Sequence, residues 1–331
     1  MRHEGKVPDP GAEPQGYLVE VGSAERIHFL DWGGPPTDGR EIDRPAGVLL
    51  IHGLAQTAWA WAPVARRTCR LLPTVAVDLR GHGLSDAPTT GYERETLTAD
   101  VFAAAEASRL IPPDADARRP SGVPGEARVI LAGHGFGAIV AAWAAARLGP
   151  WCSGLVLVDG GWQDVREATG LEPGEWLQGL DEPPEILRSM AAYLADRAGF
   201  DAGSWDADQE RAARAAVVEV PAGRVVPATR PHALAGSVEA MFAYRPGRVL
   251  PLVDAPIVAL AAADDEAGSS GLALATAQAA LVAAGRPPML VRAFPANGHN
   301  LMRYRPDDVS AAILSLALAR KEPGGPSTIA P

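Results

Sequence analysis

A glycine-rich turn in the middle of the chain has the spacing of a catalytic turn but lacks the reactive side chain. Val129 to Ala132 is an apolar run that predicts a buried strand, and Ala138 to Ala146 is an alanine-rich run that predicts a helix. Between them, residues 133–137 are Gly-His-Gly-Phe-Gly. A strand that turns into a helix across so few residues, with glycine on both sides, is the frame that exposes a nucleophile at its centre. The central residue is Gly135, so covalent catalysis through this side chain is excluded.

Histidine and aspartate residues that could transfer protons follow the predicted strands. They come at or shortly after the ends of apolar runs: His52, Asp78, Asp159 and His299. Imidazole titrates near neutral pH, and a buried carboxylate beside it fixes its tautomer and raises its basicity. Of these residues, Asp159 and His299 are candidates for acid and base chemistry.

Alternating strands and helices position these residues. Tyr17 to Val21 and Arg26 to Trp32, joined through Gly22-Ser23, predict an antiparallel hairpin at a sheet edge. Further strands are predicted at 47–51, 74–78, 129–132, 154–159, 256–260 and 288–294, and helices at 61–71, 96–110, 138–146, 272–284 and 306–319. This alternation predicts an α/β fold with a doubly wound, mostly parallel sheet.

The pattern changes between the strands at 154–159 and 256–260. Helical and proline-rich segments replace strands there, and aromatic residues are concentrated. We interpret residues 161–247 as a helical cap inserted into a core of residues 17–160 and 248–319, with flexible tails at 1–16 and 320–331. The cap aromatics Trp162, Trp176 and Tyr193 are candidates to line an apolar substrate pocket, or they are ordinary core residues.

Composition narrows the classes of partner. The formal net charge of -10 argues against nucleic acid or an anionic membrane as partner, because both would repel the chain. No apolar run approaches the roughly 20 residues that a membrane helix needs, and the first residues do not form a signal peptide, so we expect a cytoplasmic protein. Cys69 and Cys152 lie in no metal-ligand spacing. We expect no metal and no cofactor, and the sequence leaves the oligomeric state open.

Four motifs in one order resemble the α/β-hydrolase superfamily. They are the turn His52-Gly53, the run Asp78 to Ser85 with the pattern D-x-R-G-x-G-x-S, the glycine turn at 133–137, and Gly298-His299. The resemblance covers residues 17–319, and it implies the α/β-hydrolase fold with a cap. It departs from the family pattern at Gly135, where the family has its nucleophile.

The resemblance also implies which residues form the site. His299 matches the family's base, and Asp265 matches the acid after the preceding strand. Ala262 stands where the family usually has glycine, which leaves Asp264 possible, and Asp159 matches a second acid position that some members use.

Two backbone N–H groups, those of Leu54 and Phe136, match the family's oxyanion hole. Backbone donors do not depend on a serine side chain, so this part of the site survives at Gly135. His134 precedes the centre of the turn and is expected to point away from the exposed apex. His52 and His82 precede glycines in turns, where histidines usually brace loops by hydrogen bonding.

Three functions remain open. In the first, a water molecule takes the place of the serine hydroxyl, and the His299 and Asp265 dyad activates it against a small apolar ester, lactone or other carbonyl compound. Such a site suits a hydrolase, or a lyase, cyclase or isomerase. In the second, the pocket binds a ligand without catalysis. In the third, Gly135 replaces the serine of an ordinary serine hydrolase.

Overall fold

The computed structural model of the chain describes residues 13–22, 24–35, 46–113, 115, 128–180, 189–221, 223–262 and 269–318. The strands are β1 (Gln15–Val21), β2 (Glu25–Asp31), β3 (Gly47–Ile51), β4 (Thr74–Val77), β5 (Val129–His134), β6 (Cys152–Val158), β7 (Val217–Val220), β8 (Arg224–Pro227), β9 (Ile257–Ala262) and β10 (Leu290–Phe294). The helices are α1 (Ala62–Thr68), α2 (Arg94–Ala107), α3 (Phe136–Leu148), α4 (Val165–Thr169), α5 (Pro173–Gln178), α6 (Met190–Phe200), α7 (Ala207–Ala215), α8 (Pro231–Ala243), α9 (Pro246–Val249), α10 (Ser269–Ala283), α11 (Leu301–Tyr304) and α12 (Pro306–Leu318).

Eight strands form one sheet in the order β1-β2-β4-β3-β5-β6-β9-β10. β1 pairs with β2, and β2 with β4, in antiparallel fashion, while the remaining neighbours are parallel. This confirms the predicted mostly parallel sheet with a hairpin at its edge. β1 begins at Gln15, inside the segment 1–16 that the sequence assigned to a flexible tail.

The central strands are apolar because both faces of the sheet are covered. Every residue of β3, β5 and β6 is buried. Along β3, Leu49 and Ile51 pack into one apolar cluster, and Val48 and Leu50 pack into the other. The period of two follows from the pleat, which points successive side chains to opposite faces. The strand ends that carry the candidate site therefore rest on a rigid, doubly packed layer.

The segment between β6 and β9 holds α4 to α9 and an antiparallel hairpin of β7 and β8. The sequence predicted helices alone here, although its Val-rich runs at 217–220 and 224–227 favour strands. α8 lies inside the predicted cap, yet its residues Val238, Met241 and Phe242 pack into the main apolar cluster, as does Tyr244. No helix among the described residues has the length and apolar character needed to cross a membrane.

Candidate active site

The glycine turn after β5 is sterically restricted to glycine on both sides of its centre. A Cβ on Gly133 would lie 2.2 Å from the carbonyl oxygen of Gly137, and a Cβ on Gly137 would lie 2.3 Å from the carbonyl oxygen of His52. The central residue, Gly135, has φ 52° and ψ −115°, a left-handed conformation that costs an L-residue strain. The backbone of a nucleophile elbow is thus present around a residue that has no side chain.

His299 faces this turn and is held from behind by a carboxylate. Its Nδ1 lies 2.6 Å from Oδ2 of Asp159, and the other carboxylate oxygen, Oδ1, accepts the N–H of Ala262 at 2.9 Å. A proton on Nδ1 donated to the carboxylate leaves the lone pair on Nε2. That atom lies 3.2 Å from the point where a Cβ on Gly135 would be. The pair has the orientation of a base and its acid partner.

Asp159 occupies a strained position at the end of β6. Its φ is +44°, in the left-handed region that non-glycine residues rarely adopt, and its N–H donates to the carbonyl oxygen of Leu260 at 2.8 Å. Its side chain is 14% exposed, whereas that of His299 is 59% exposed. Asp265 and Asp264, the other candidate acids, lie outside the described residues.

The two predicted oxyanion donors come from two different segments, the glycine turn itself and the loop after β3. Phe136 is the first residue of α3, so its N–H has no partner inside the helix. Leu54 lies in the turn that follows β3, next to Gly53, whose Cα is 4.0 Å from the same Cβ point on Gly135. Within the described part of the chain, neither N–H has a hydrogen-bond acceptor.

The three predicted substrate-binding aromatics have different environments. Trp162 is 1% exposed and belongs to the main apolar cluster. Trp176 is half-buried and packs edge-on against Phe242, with ring centroids 6.3 Å apart. Tyr193 is half-buried on α6 beneath the guanidinium of Arg197. Their contact with a substrate stays a prediction.

The remaining histidines near the site brace loops. His52 Nε2 accepts the N–H of Leu79 at 3.0 Å, and its Nδ1 lies 2.7 Å from the carbonyl oxygen of Gly53. His82 Nδ1 lies 3.0 Å from the carbonyl oxygen of Arg80. Burial lowers the pKa of His52, and burial together with His52 lowers the pKa of His82 to about 3. Both are held as neutral structural groups.

Asp78 joins this bracing from the strand end of β4. It accepts hydrogen bonds from His28 Nδ1 at 2.8 Å, from the N–H of Ala58 at 2.7 Å and from the N–H of Leu84 at 3.0 Å. Burial alone would raise the pKa of Asp78, but these donors and the neighbouring His52 outweigh it, and the pKa is lowered. Asp78, the first residue of the D-x-R-G-x-G-x-S run, therefore has a structural role, because it joins three segments of the chain by hydrogen bonds.

Sequence reasoning missed two polar residues that join the site loops. Gln56 donates through Nε2 to Oδ1 of Asn300 at 2.7 Å, across 244 residues of chain. Each stands within a few residues of a recognised motif, His52-Gly53 in one case and Gly298-His299 in the other, which was the only signal available. Among the described residues, no group of three or more His, Cys, Asp or Glu side chains could hold a metal ion.

The sequence is similar to that of known hydrolases. The profile of the Alpha/beta hydrolase family matches residues 48–312. A 2-(acetamidomethylene)succinate hydrolase of Mesorhizobium japonicum is 29% identical over 175 residues, which are 51% of this chain and 56% of that protein. An N-formylmaleamate deformylase of Pseudomonas putida is 32% identical over 135 residues, 40% of this chain and 41% of that protein. The chain thus matches about half the length of these curated relatives.

Solved structures agree in fold over a longer span. The crystal structure of E-2-(acetamidomethylene)succinate hydrolase superposes with a TM-score of 0.68 at 23% identity, covering 92% of this chain and 98% of that one. The thioesterase domain from the curacin biosynthetic pathway superposes with a TM-score of 0.64 at 18% identity, covering 92% and 100%. At these identities the likeness establishes a shared fold.

Proposed function

Because this chain belongs to the alpha/beta hydrolase family, we propose that it is an enzyme in which Asp159 and His299 activate a water molecule against a small carbonyl compound. No covalent intermediate forms on residue 135, since glycine offers no nucleophilic atom. Asp265, the acid that the sequence favoured, has no part in this form of the proposal.

The observation that carries the proposal is the position of His299 Nε2. It lies 3.2 Å from the Cβ point of Gly135, and the third-nearest atom to that point is 4.0 Å away. A serine Cβ at this point would be crowded by the imidazole. A water oxygen placed slightly farther from the backbone would instead lie within hydrogen-bond reach of Nε2, about 2.6 to 3.2 Å, which is the range a general base requires.

The chemistry is a direct hydrolysis. Nε2 of His299 removes a proton from the water as its oxygen bonds to the carbonyl carbon, and the N–H groups of Leu54 and Phe136 donate to the developing oxyanion. When the intermediate collapses, the bond to the leaving group breaks and the imidazolium returns the proton to that group. Asp159 stabilises the imidazolium throughout. The same base could remove a carbon-bound proton, which would give elimination or isomerisation.

The substrate class follows from reactivity and from the relatives. Without a serine, turnover falls by about 10⁶ in a triad enzyme, while binding and the oxyanion hole retain about 10³ to 10⁴ over water. An activated ester or lactone can still react at that level, and an ordinary amide cannot. The names of both relatives describe small carboxylic acids whose acylated nitrogen is attached to a carbon–carbon double bond in one and to a second carbonyl in the other. Their leaving groups are therefore better than that of an ordinary amide, and such compounds are further candidates.

A p-nitrophenyl acetate assay on three proteins tests the proposal. The natural chain should turn over the ester measurably, and His299→Ala should remove at least 90% of this activity, because a general base contributes about 10² to 10⁴. Gly135→Ser should be less stable by about 1 to 3 kcal/mol, because φ is +52° and the added Cβ crowds His299.

The serine variant separates the alternatives. A large gain in Gly135→Ser, together with His299-dependent activity in the natural chain, supports the water mechanism. A gain without such activity in the natural chain would identify a disabled serine esterase. No activity in any form would favour a protein that binds a ligand without catalysis.

A further inference from the structure

Three loops that are far apart in sequence are joined by polar side chains behind the candidate site. The loop after β3 carries Leu54, the turn after β5 carries Gly135, and the loop after β10 carries His299. In the proposed mechanism each loop supplies one component, namely an oxyanion donor, the elbow or the base. The relative position of the loops therefore decides whether the components fit one substrate.

Gln56 is the residue that meets all three loops. Its Oε1 accepts the N–H of Gly53 at 3.1 Å, and its Nε2 donates to Oδ1 of Asn300 at 2.7 Å. The same Oε1 lies 3.1 Å from Nδ1 of His134, the residue before the elbow centre. A single amide thus links the oxyanion loop to the base loop and touches the elbow.

His134 completes the link to the base. Its Nε2 lies 3.0 Å from the carbonyl oxygen of His299, and the two rings are in contact at an interplanar angle of 47°, with centroids 4.3 Å apart. The side chain is fully buried, and burial and the neighbouring His299 hold its pKa well below the ordinary value. A neutral imidazole has one N–H, which donates either from Nδ1 to Oε1 of Gln56 or from Nε2 to the carbonyl oxygen of His299, so the tautomer decides which of the two His134 binds. His134 packs closely against the loop after β3, because a Cβ on Gly53 would lie only 2.6 Å from Nδ1 of His134.

We propose that Gln56 is a positioning residue, which sets the base loop against the oxyanion loop through Asn300 and is supported by His134. The inference rests on the proposed function, because it names what fixes the geometry of that same site. Gln56 acts through its neighbours, since its described polar contacts are with Gly53, His134 and Asn300 and none is with the reacting atoms. Displacements of about 1 Å in such supports cost on the order of 10²-fold in rate.

Replacement of Gln56 by methionine tests this, because methionine keeps the length of the side chain and removes the amide's hydrogen bonds to Gly53 and Asn300. Gln56→Met should lower kcat for p-nitrophenyl acetate by about 10 to 100-fold and leave KM within about twofold. The matched control is Gln278→Met. Gln278 also makes two hydrogen bonds, to the backbone of Met289 at 2.9 and 2.7 Å, but it lies on α10 away from the site. The control should keep kcat.

A second variant breaks the same bridge from the other end. Asn300→Leu should reproduce the loss of kcat, and the double variant Gln56→Met, Asn300→Leu should be no slower than about the worse single variant, because one link is lost in each case. This variant also keeps the test decisive if Gln56→Met does not fold. Independent losses that multiply, or a loss in Gln278→Met equal to that in Gln56→Met, would overturn the proposal.

Nuclear magnetic resonance of the imidazole nitrogens separates this inference from the proposed function. The ring signals of His299 should shift or broaden in Gln56→Met and Asn300→Leu and stay in place in Gln278→Met. If the natural chain has no His299-dependent turnover, the proposed function fails, while this experiment still decides the positioning role. Unchanged His299 signals in both bridge variants would refute it.

Discussion

The strands that carry the site residues and helices α4 to α7 of the segment inserted after β6 are packed in opposite ways. β3, β5 and β6 are buried at every residue. Helices α4, α5 and α7 of the insertion contain no buried residue, and α6 contains only Leu194. The buried strands can therefore hold reactive groups in fixed positions, whereas α4 to α7 add little apolar burial of their own.

Polar and aromatic contacts attach α7 and the residues just before it to the core. The Arg66 guanidinium on α1 binds the Asp208 carboxylate on α7, with N to O distances of 3.0 to 3.1 Å. Arg211 lies over the ring of Trp59, 4.5 Å from its centroid. Arg303, close to the base loop, donates to Ser204 Oγ at 2.6 Å. Segments held in this way open locally at lower free energy than a buried strand does.

The largest effect we predict concerns catalysis at the end of β6. Asp159→Asn should reduce kcat on p-nitrophenyl acetate by about 10² to 10⁴, because an amide no longer fixes the proton on Nδ1 of His299. Asp265→Asn is the control and should stay within about threefold of the natural chain. A greater loss from the Asp265 variant would return the acid role to that residue.

The packing difference predicts unequal costs for one substitution at two places. Leu131→Ala, in β5 at 0% exposure, should lower the free energy of unfolding by about 2 to 5 kcal/mol, because a cavity remains in a rigid layer. Leu194→Ala, in α6 at 9% exposure, should cost about 1 to 2 kcal/mol less, since its surroundings can collapse. Urea unfolding measures both. Equal costs would show that the insertion is packed as firmly as the sheet.

Acid should destabilise the core through its histidines. His52, His82 and His134 are buried with lowered pKa values, about 3 for His82 against an ordinary 6.5, so the unfolded chain binds more protons. Stability is therefore full above about pH 6.5 and falls as the pH drops towards 3, by about 1.4 kcal/mol per pH unit for each proton taken up. Residues 161–231, which include α4 to α7, contain no histidine, so this loss of stability arises outside those helices. Urea midpoints between pH 7.5 and 4.5 test this, and a flat profile would contradict it.

The smallest effect concerns the attachment of the insertion. Asp208→Ala should lower the opening free energy of α7 by about 1 kcal/mol, because its ion pair is shielded, with side chains 17% and 18% exposed. Glu210→Ala, which removes an exposed pair with Arg214, is the control and should cost about 0.3 to 0.5 kcal/mol. Hydrogen exchange of the α7 amides reports both. Equal protection of the α7 amides in the two variants would show that the Arg66–Asp208 ion pair contributes no more than the exposed Glu210–Arg214 pair.

The sequence by itself determined the sheet and the frame of the elbow. Short apolar runs bounded by turns predicted β3, β5 and β6. A strand that is buried on both faces needs a continuous apolar run, and such runs are only a few residues long. Glycine at 133 is likewise a local requirement, since a Cβ there would lie 2.2 Å from the carbonyl oxygen of Gly137, whereas glycine at 137 is required by the end of β3, because its Cβ would lie 2.3 Å from the carbonyl oxygen of His52. Apolar runs and turn glycines can be recognised from residues that are neighbours in the sequence, so they can be predicted without the tertiary structure.

Only the tertiary structure decided which side chains meet. His299 pairs with Asp159 across 140 residues, and Gln56 reaches Asn300 across 244. Such partners depend on how loops from several strands converge, and no periodicity in the chain encodes that. The same reason explains why α8 belongs to the core although it lies inside the predicted cap. Its apolar residues required burial, and the sequence could not specify against which surface they would pack.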